Sequence, residues 1–275
     1  MHTITFLNEK GGVGKTTLST TVAAGLAIRG KRVILIDADP QGHSTVTLGV
    51  SKKQGALYKL IAQEGDWDNL LVPPLSRHWA GDYSESAGEL LLLPGNIETQ
   101  AIPVVCDPTL TLKDRLAELD GWADVAIIDT PPTPSALQAM VYIATTHLIY
   151  PSQTQHLALD GLAESVGRIH NLNRTRTSFG QSKVQLLGVA PTMYEERTTA
   201  HQHGLRLITE HFGADYVLPI ISKSTIWRDR EFSLQSIFSY APEHNAAYEA
   251  WSLIDEITRK MGGLVSAPTD LSAAI

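Results

Sequence analysis

Short apolar runs alternate with longer segments of helical periodicity along most of the chain. The short runs are apolar at consecutive positions, which is typical of strands that a parallel sheet buries on both faces. The predicted strands cover residues 4–7, 32–36, 89–93, 123–128, 147–150, 183–191 and 217–220. The predicted helices cover residues 18–29, 56–63, 110–119, 135–144, 157–173, 198–212 and 245–261. This alternation predicts an α/β fold with a doubly wound, mostly parallel sheet and helices on both faces.

Three segments lack a clear pattern of hydrophobic and polar positions. Residues 44–50 and 233–240 are ambiguous between helix, strand and loop. Residues 67–88 carry two adjacent prolines and a weakly patterned polar run. We predict that this segment is a surface excursion with one short strand near residues 70–72.

The length and composition of the chain are those of a soluble globular protein. It has 275 residues, of which 43% are hydrophobic and 19% are charged, and this size suits one large α/β domain or two small ones. No internal repeat or obvious linker divides the pattern. We therefore predict a single domain over residues 1–262 and a flexible C-terminal tail over residues 263–275.

The charge and cysteine content narrow the possible partners and compartment. A formal net charge of −7 argues against nucleic-acid binding, although a local basic patch can override net charge. Cys106 is the single cysteine, so the chain has no intrachain disulfide and no cysteine-rich metal site, which fits a reducing compartment. No signal peptide, membrane-spanning run or amphipathic membrane helix is evident in the sequence. We expect a cytoplasmic protein with no membrane partner.

A glycine-rich turn of sequence EKGGVGKTT, residues 9–17, joins the first predicted strand to the first predicted helix. Glycines let backbone N–H groups turn inward around phosphate oxygens, and the helix N-terminus adds its dipole. Lys15 is placed to reach the β- and γ-phosphates of a nucleotide, and the hydroxyl of Thr16 to ligate Mg²⁺. The predicted phosphate-binding residues are Gly11, Gly12, Val13, Gly14, Lys15, Thr16 and Thr17.

Carboxylates follow two other predicted strands, and ligands of open parallel sheets bind at these strand ends. Asp129 is expected to hold Mg²⁺ directly or through water, with a helix-capping role as the alternative. Asp37 and Asp39 lie two positions apart and point the same way if the strand geometry continues. One of this pair can serve the Mg²⁺ shell while the other orients or deprotonates the attacking water. The alternative is an Asp-Pro turn without chemistry.

The loop departs from the usual phosphate-loop pattern at its first position, which is Glu9 instead of glycine, and it has an additional lysine, Lys10. A lysine at this position cannot easily fold back onto the phosphates of its own loop. It can project outward and offset charge on a nucleotide that a second subunit holds, as an arginine finger does. The alternative is a solvated surface lysine.

Three blocks in this order, KGGVGKTT at residues 10–17, DADPQG at residues 37–42 and IIDTPP at residues 127–132, resemble the ParA/MinD group of P-loop ATPases with the deviant Walker A motif. The second block is more similar to the ParA/Soj partition branch than to MinD, the nitrogenase iron protein or the arsenical-pump ATPase. Segments 192–198 and 218–230 also resemble the family. The resemblance covers about residues 2–260.

The resemblance implies the P-loop NTPase fold, with ATP and Mg²⁺ as cofactors, and a homodimer that forms when ATP binds. In the implied cycle Lys10, Lys15 and Asp39 are catalytic, and Asp39 positions the attacking water. Thr16, Asp37 and Asp129 serve the metal. The base is expected near Met193 and Pro219.

The resemblance also implies that the ATP dimer binds DNA without sequence preference, so the protein is expected to be nucleoid-associated. A ParB-like partner then stimulates hydrolysis and releases the dimer. Arg197 matches a position implicated in DNA contact in the family, and Lys223, Arg228 and Arg230 lie in a matching region. Non-specific binding needs only Lys and Arg side chains facing phosphates. The alternative for each is a solvated surface charge.

Two other functions remain open at this point. The same enzyme core could position a protein cargo, such as a carboxysome or a chemotaxis cluster, instead of plasmid or chromosome DNA. It could also be a nucleotide-dependent regulatory switch that acts through a partner with little turnover.

Overall fold

Six parallel strands form one sheet at the centre of the computed structural model, in the order β3-β2-β4-β1-β5-β6. The structure describes residues 1–85, 87–105, 111–132, 135–154, 159–178 and 180–263. The strands are β1 (His2–Phe6), β2 (Arg32–Asp37), β3 (Glu89–Leu93), β4 (Val125–Asp129), β5 (His147–Gln153) and β6 (Gln185–Thr192). The predicted fold class, a doubly wound parallel sheet, is therefore confirmed.

Helices cover both faces of the sheet within the described residues. The longer helices are α1 (Lys15–Ile28), α3 (Leu57–Ala62), α7 (Thr111–Ala117), α8 (Ala136–Ala144), α9 (Leu159–Ser178), α10 (Thr199–Phe212), α11 (Ile226–Phe232) and α13 (Asn245–Lys260). The shorter ones are α2 (His43–Thr47), α4 (Trp67–Leu70), α5 (Ser76–Trp79), α6 (Ile102–Val105) and α12 (Ile237–Tyr240). None of the described helices is both long and apolar enough to span a membrane.

The buried side chains form two main clusters, one on each face of the sheet. On one face α1 and α13 pack together over β1, and on the other α3, α7 and α8 pack over β2 and β4. The contact of α13 with α1 is close, because a Cβ on Gly25 would lie 2.1 Å from the Cδ1 of Ile254. Strands that bury both faces must be apolar at successive positions, which explains the continuous runs in the sequence.

The register of the strands brings the polar strand ends together. Phe6 of β1 and Asp37 of β2 both pair with Asp129 of β4. The turn after β1, the Asp37 segment and the Asp129 segment therefore leave the sheet side by side. This arrangement is the topological requirement for the ligand site that the sequence predicts.

Two predicted strands were wrong. Residues 217–220 contribute a single bridge, Val217 with Val189, because the next residue of β6 that would donate to this segment is Pro191, which has no N–H. Residues 70–72 contribute only an antiparallel bridge from Val72 to Leu92, and the residues before it form α4. The ambiguous segments 44–50 and 233–240 contain the short helices α2 and α12.

Some predictions fall partly or wholly outside the described residues. They are Cys106, the start of the helix predicted at 110–119, the start of the helix predicted at 157–173 and residues 264–275 of the tail.

Candidate nucleotide-binding site

The glycine-rich turn lies between the end of β1 and the start of α1. Gly14 caps the helix with φ of 90°, and Gly12 has φ of 71°. Both values lie in the left-handed region, where a side chain would be strained. The carbonyl of Gly14 accepts the first helical bond from the N–H of Leu18 at 2.9 Å. The turn therefore presents the N-terminus of a 14-residue helix at the carboxyl edge of the sheet.

Three polar side chains from neighbouring strand ends brace this turn. Gln153 donates from its amide to the carbonyl of Gly12 at 2.7 Å, and the hydroxyl of Thr192 donates to the carbonyl of Val13 at 2.9 Å. Asn8 accepts the N–H of Lys10 at 2.8 Å and donates to the carbonyl of Pro151, also at 2.8 Å. The sequence predicted no bracing role for Asn8, Gln153 or Thr192, although each follows a predicted strand within three positions.

Lys15 lies inside the turn with only 6% of its surface exposed. Its Nζ donates to the carbonyl of Lys10 at 3.2 Å. Burial lowers the pKa of Lys15, while the charges of Asp129 and Asp39 act in the opposite direction. The ammonium group is thus held toward the centre of the loop, where a phosphate would satisfy it. Lys10, in contrast, is exposed.

Asp129 is fully buried, and its carboxylate accepts hydrogen bonds from two hydroxyl groups. Its Oδ2 accepts from the hydroxyl of Thr16 at 2.8 Å and from that of Ser44 at 2.7 Å. Its Oδ1 has no hydrogen-bond partner among the described residues. An orphaned carboxylate oxygen beside a threonine hydroxyl fits Mg²⁺, which prefers oxygen ligands. The sequence analysis did not single out Ser44.

No cluster of three or more His, Cys, Asp or Glu residues suited to a metal occurs in the part of the chain that the structure describes. The donor set is therefore one hydroxyl and one free carboxylate oxygen. Mg²⁺ commonly retains several waters and binds through few carboxylates together with phosphate oxygens. The site fits Mg²⁺ that arrives with a nucleotide better than a permanently resident ion.

Asp37 is buried beneath this site and holds the segment that follows β2. Its Oδ2 accepts from both the N–H and the hydroxyl of Thr45, at 2.8 and 2.6 Å, and its Oδ1 accepts from the N–H of Asp39 at 3.3 Å. Burial, and then the nearby charge of Asp129, raise the pKa of Asp37 to about 7. Burial likewise raises the pKa of Asp129, against the bonds from Ser44 and Thr16.

Asp39 is buried and lines a cavity of about 370 Å³. Its Oδ1 accepts from the N–H of Gln41 at 2.8 Å, and its carbonyl accepts from the N–H of Gly42 at 2.8 Å. The cavity is walled by prolines, among them Pro40 and Pro131. Residues 39–42 therefore form the turn that was the alternative for Asp39, and Asp39 also lines the cavity.

A second cavity, of about 310 Å³, opens beside the N-terminus of α1. Met193, which has the unusual φ of 51°, lines it, and the side wall is formed by Ile221, Ser222 and Trp227. Its position next to Gly14 and Thr17 suits the base and sugar of a nucleotide. The structure brings Met193 to this cavity. Pro219 does not line this cavity, which is bordered by Ile221 and Ser222, and its contact with the base stays a prediction.

Of the four predicted DNA-binding residues, three are exposed. Arg197, Lys223 and Arg228 lie on the surface, and we name these three residues the basic face. Lys223 is partly engaged, because its Nζ donates to Glu195 at 2.5 Å. The acidic partner lowers the positive charge that the basic face offers.

Arg230 is the exception, because its side chain is fully buried. Its guanidinium lies 5.6 Å from the ring centre of Trp227 and donates to the carbonyl of Gln235 at 3.2 Å. Burial lowers its pKa to about 10. A buried guanidinium cannot face a DNA phosphate, so we remove Arg230 from the predicted interface.

Comparison with known proteins places these features in a family. The family described as AAA domain matches residues 1–181. The chromosome-partitioning ATPase Soj of Thermus thermophilus is 30% identical over 258 residues, which cover 94% of this chain and 96% of the relative.

Solved structures share the fold of this chain. One described as cobyrinic acid a,c-diamide synthase of Mycobacterium smegmatis, with a bound ATP analogue and magnesium, has a TM-score of 0.75 and 26% identity, covering 98% of this chain and 100% of that one. Apo McdA of Cyanothece, at 19% identity, shares the fold with a TM-score of 0.76 over 95% of this chain and 100% of its own. The match to Soj of Thermus thermophilus and to the family model shows that the chain, with its glycine-rich turn and the buried carboxylates of Asp37 and Asp129, belongs to the Soj/ParA family of chromosome-partitioning ATPases.

Proposed function

We propose that the chain hydrolyses ATP to ADP and phosphate with Mg²⁺ at the glycine-rich turn. The observation that carries this proposal is the orphaned Oδ1 of Asp129, which lies beside the Thr16 hydroxyl. Residues Gly11, Gly12, Val13, Gly14, Lys15, Thr16 and Thr17 bind the phosphates. Mg²⁺ supplies charge neutralisation on the phosphate oxygens.

Each polar group at this site has a separate task in the proposed reaction. Thr16 and Asp129 hold the metal, and Asp37 supports its shell by fixing the segment that begins with Asp39. Asp39 orients the attacking water, a role supported by its place in the lining of the adjoining cavity. Lys15 stabilises the negative charge that develops on the phosphate.

The nucleotide base binds in the cavity beside α1. Met193 contributes an apolar contact, and Ile221 and Ser222 form the wall on the other side. The cavity also borders Thr17. A nucleotide extended from the phosphate turn into this space would keep its base away from bulk water.

ATP binding is proposed to bring two copies of the chain together. The exposed Lys10 of each copy then reaches the phosphates that the other copy holds and offsets charge on the transferring group. This role explains why the loop has a second lysine, Lys10, although the buried Lys15 already fills the position that points to the centre of the loop.

The ATP dimer is proposed to bind DNA without sequence preference through the basic face and to segregate plasmid or chromosome DNA at the nucleoid. Lysine and arginine side chains that face phosphates are sufficient for such binding. A ParB-like activator then stimulates hydrolysis, and the dimer separates from DNA.

A second candidate is the positioning of a protein cargo, or regulation through a protein partner, by the same ATPase core. The observation that favours it is electrostatic. The net charge of the chain is −7, and one of the three residues of the basic face is already paired with Glu195.

Turnover of ATP with and without DNA separates these candidates. We expect DNA to raise the rate of phosphate release by the wild-type chain. Asp39→Ala should abolish release while ATP binding persists, and Lys15→Ala should abolish both. Asp68→Asn, at an exposed position, is the matched control and should behave as wild type. An Asp39→Ala variant that still releases phosphate rapidly would remove Asp39 from the reaction, and wild-type turnover indifferent to DNA would favour the protein-cargo candidate.

A further inference from the structure

The hydrogen bonds to the two fully buried carboxylates, Asp37 and Asp129, are distributed differently. Both oxygens of Asp37 accept hydrogen bonds from the segment that follows β2. Both donors to Asp129, the hydroxyls of Thr16 and Ser44, bind its Oδ2, and its Oδ1 accepts none from the described residues. Donors that only offset the burial of a carboxylate are expected on both of its oxygens, as in Asp37. The one-sided arrangement at Asp129 instead leaves one oxygen available.

The two donors to Asp129 differ in what else they do. Thr16 lies in the phosphate turn, and its hydroxyl is also the proposed ligand of Mg²⁺, because a hydroxyl that donates its proton keeps lone pairs. Ser44 is completely buried. The bond to Oδ2 of Asp129, at 2.7 Å, is the one hydrogen bond that its hydroxyl makes among the described residues. The Ser44 hydroxyl therefore acts on Asp129 alone.

The backbone beside Ser44 is fixed by bonds that do not involve Asp129. The N–H and the hydroxyl of the next residue, Thr45, donate to Oδ2 of Asp37 at 2.8 and 2.6 Å. The hydroxyl oxygen of Thr45 also accepts the N–H of Gly95 at 3.1 Å. Because these bonds hold the start of α2 in place, Ser44 is a stationary donor, and Asp129 is the partner that it positions.

A fixed donor on one oxygen restricts the rotation of the Asp129 carboxyl group. A hydrogen bond to an ionised carboxylate is shorter and stronger than one between neutral groups. Without Ser44, the hydroxyl of Thr16 would be the one remaining donor among the described residues, and either carboxylate oxygen could accept its bond. Loss of a group that orients a metal ligand typically costs about 10- to 100-fold in metal affinity or activity.

We propose that Ser44 is a positioning residue for the Mg²⁺ site. By holding Oδ2 of Asp129, its hydroxyl reserves Oδ1 for the metal. The inference rests on the proposed Mg²⁺-dependent binding and hydrolysis of ATP, and it adds to that function a residue that touches neither the nucleotide nor the metal.

The test is the equilibrium affinity for a fluorescent ATP analogue, measured in EDTA and over a series of free Mg²⁺ concentrations. In Ser44→Ala, the Mg²⁺ concentration that gives half of the metal-dependent gain in affinity should rise about 10- to 100-fold, while the affinity in EDTA stays that of the wild type. Ser44→Cys keeps a weak donor of similar size, so a smaller rise is expected. Ser236→Ala is the control, because it removes another buried serine hydroxyl, which donates to the carbonyl of Trp79 at 2.7 Å. Its Mg²⁺ requirement should match the wild type.

Comparison of the two conditions distinguishes positioning of the metal ligand from a merely structural role. If Ser44 only stabilised the fold, Ser44→Ala would lower the affinity in EDTA and in Mg²⁺ by the same factor. That result, or an unchanged Mg²⁺ requirement, overturns the inference while the proposed function survives. Should the alanine variant not fold, the same outcomes in Ser44→Cys decide. A wild-type chain that binds no ATP, or binds it equally with and without Mg²⁺, overturns the proposed function itself.

Discussion

Asp37→Asn should stabilise the nucleotide-free chain at neutral and alkaline pH. Asp37 is fully buried close to Asp129, and burial and that neighbouring charge raise its pKa from 3.8 to about 7. The folded chain therefore binds this proton more tightly than the unfolded chain does. As pH rises from about 4 to about 7, the unfolded state loses the proton first, and the free energy of unfolding contributed by this group falls.

The size of the effect follows from the shift in proton affinity. A tenfold change in that affinity is worth about 1.4 kcal/mol, so the change from 3.8 to about 7 corresponds to about 4 kcal/mol at pH 8. Asparagine keeps an acceptor for Thr45 but presents its amide group to the N–H of Asp39, a mismatch of about 1 kcal/mol. We therefore expect a net gain of about 3 kcal/mol at pH 8. Because Asp37 and Asp129 titrate as a pair, the gain belongs to both.

The assay is urea unfolding of both proteins at pH 5, 6, 7 and 8, with EDTA present and nucleotide absent. The informative quantity is the difference in the free energy of unfolding between the variant and the wild type, because other groups also titrate and contribute equally to both proteins. Burial lowers the pKa of His147 to about 4, so its contribution is complete above about 6.5 and is lost as pH falls. That contribution has the opposite sign and cancels in the difference.

The difference should increase steadily from pH 5 to pH 7 and level off near pH 8. A difference that does not depend on pH, or an Asp37→Asn variant less stable than wild type at pH 8, would contradict the claim that burial raises the pKa of Asp37. The exposed Asp68→Asn variant provides the control, for which a small and constant difference is expected. Addition of Mg²⁺ and ATP should make the wild type the more stable of the two proteins, since a ligand stabilises the folded chain that binds it more tightly.

Three further predictions concern the basic face and the loop. Lys10→Ala should retain ATP affinity but form no ATP-dependent dimer, and sedimentation equilibrium would contradict this role if it gave a wild-type dimer fraction. Glu195→Gln should release Lys223 from its ion pair and raise DNA retention several-fold. The slope of log affinity against log salt concentration should become steeper by about 0.9, because one more cation faces a DNA phosphate. An unchanged slope would mean that the ion pair does not limit DNA binding. Arg230→Met removes a buried guanidinium whose Nε and Nη2 lack a hydrogen-bond partner among the described residues and whose Nη2 lies 3.9 Å from a carboxylate oxygen of Glu231. Chemical unfolding should therefore show a loss of under about 1 kcal/mol or a gain. DNA retention by this variant should match wild type, whereas Arg228→Glu should reduce retention, and the reverse order would return Arg230 to the interface.

The sheet and the central loop were predictable because their signals are local. A strand buried on both faces must be apolar at consecutive positions, and a phosphate turn must place glycine where φ is positive, as at Gly12 and Gly14. The approach of Asp37 to Asp129 also followed, since parallel strands end at the same edge.

The residues that brace the site were not predictable from local patterns. Gln153 contacts the carbonyl of Gly12 across 141 positions, and Ser44 contacts Asp129 across 85. Neither has a motif of its own, because a single amide or hydroxyl is common in any loop. Their roles depend on which strands lie next to each other in the sheet, and local sequence patterns do not determine that order.

The position of Arg230 shows a different limit. An arginine in an acidic protein is usually exposed, and Lys223, Arg228 and Arg230 were predicted together from one region of the sequence. Within α11, however, Trp227 and Arg230 lie three positions apart on one helical face, and that face is buried. The adjacent Arg228 lies on the other side and is exposed. Helical spacing could have separated the two arginines had the helix been predicted.

The most direct test of the central claim is sedimentation velocity of a labelled DNA fragment with the wild-type chain, in MgATP and in MgADP. The account predicts that MgATP produces a fast-sedimenting complex whose protein is dimeric, and that MgADP leaves the DNA free. Equal binding of DNA in both nucleotides, or binding of DNA by a monomer in MgATP, would contradict the claim that the nucleotide at the glycine-rich turn controls a DNA-binding dimer.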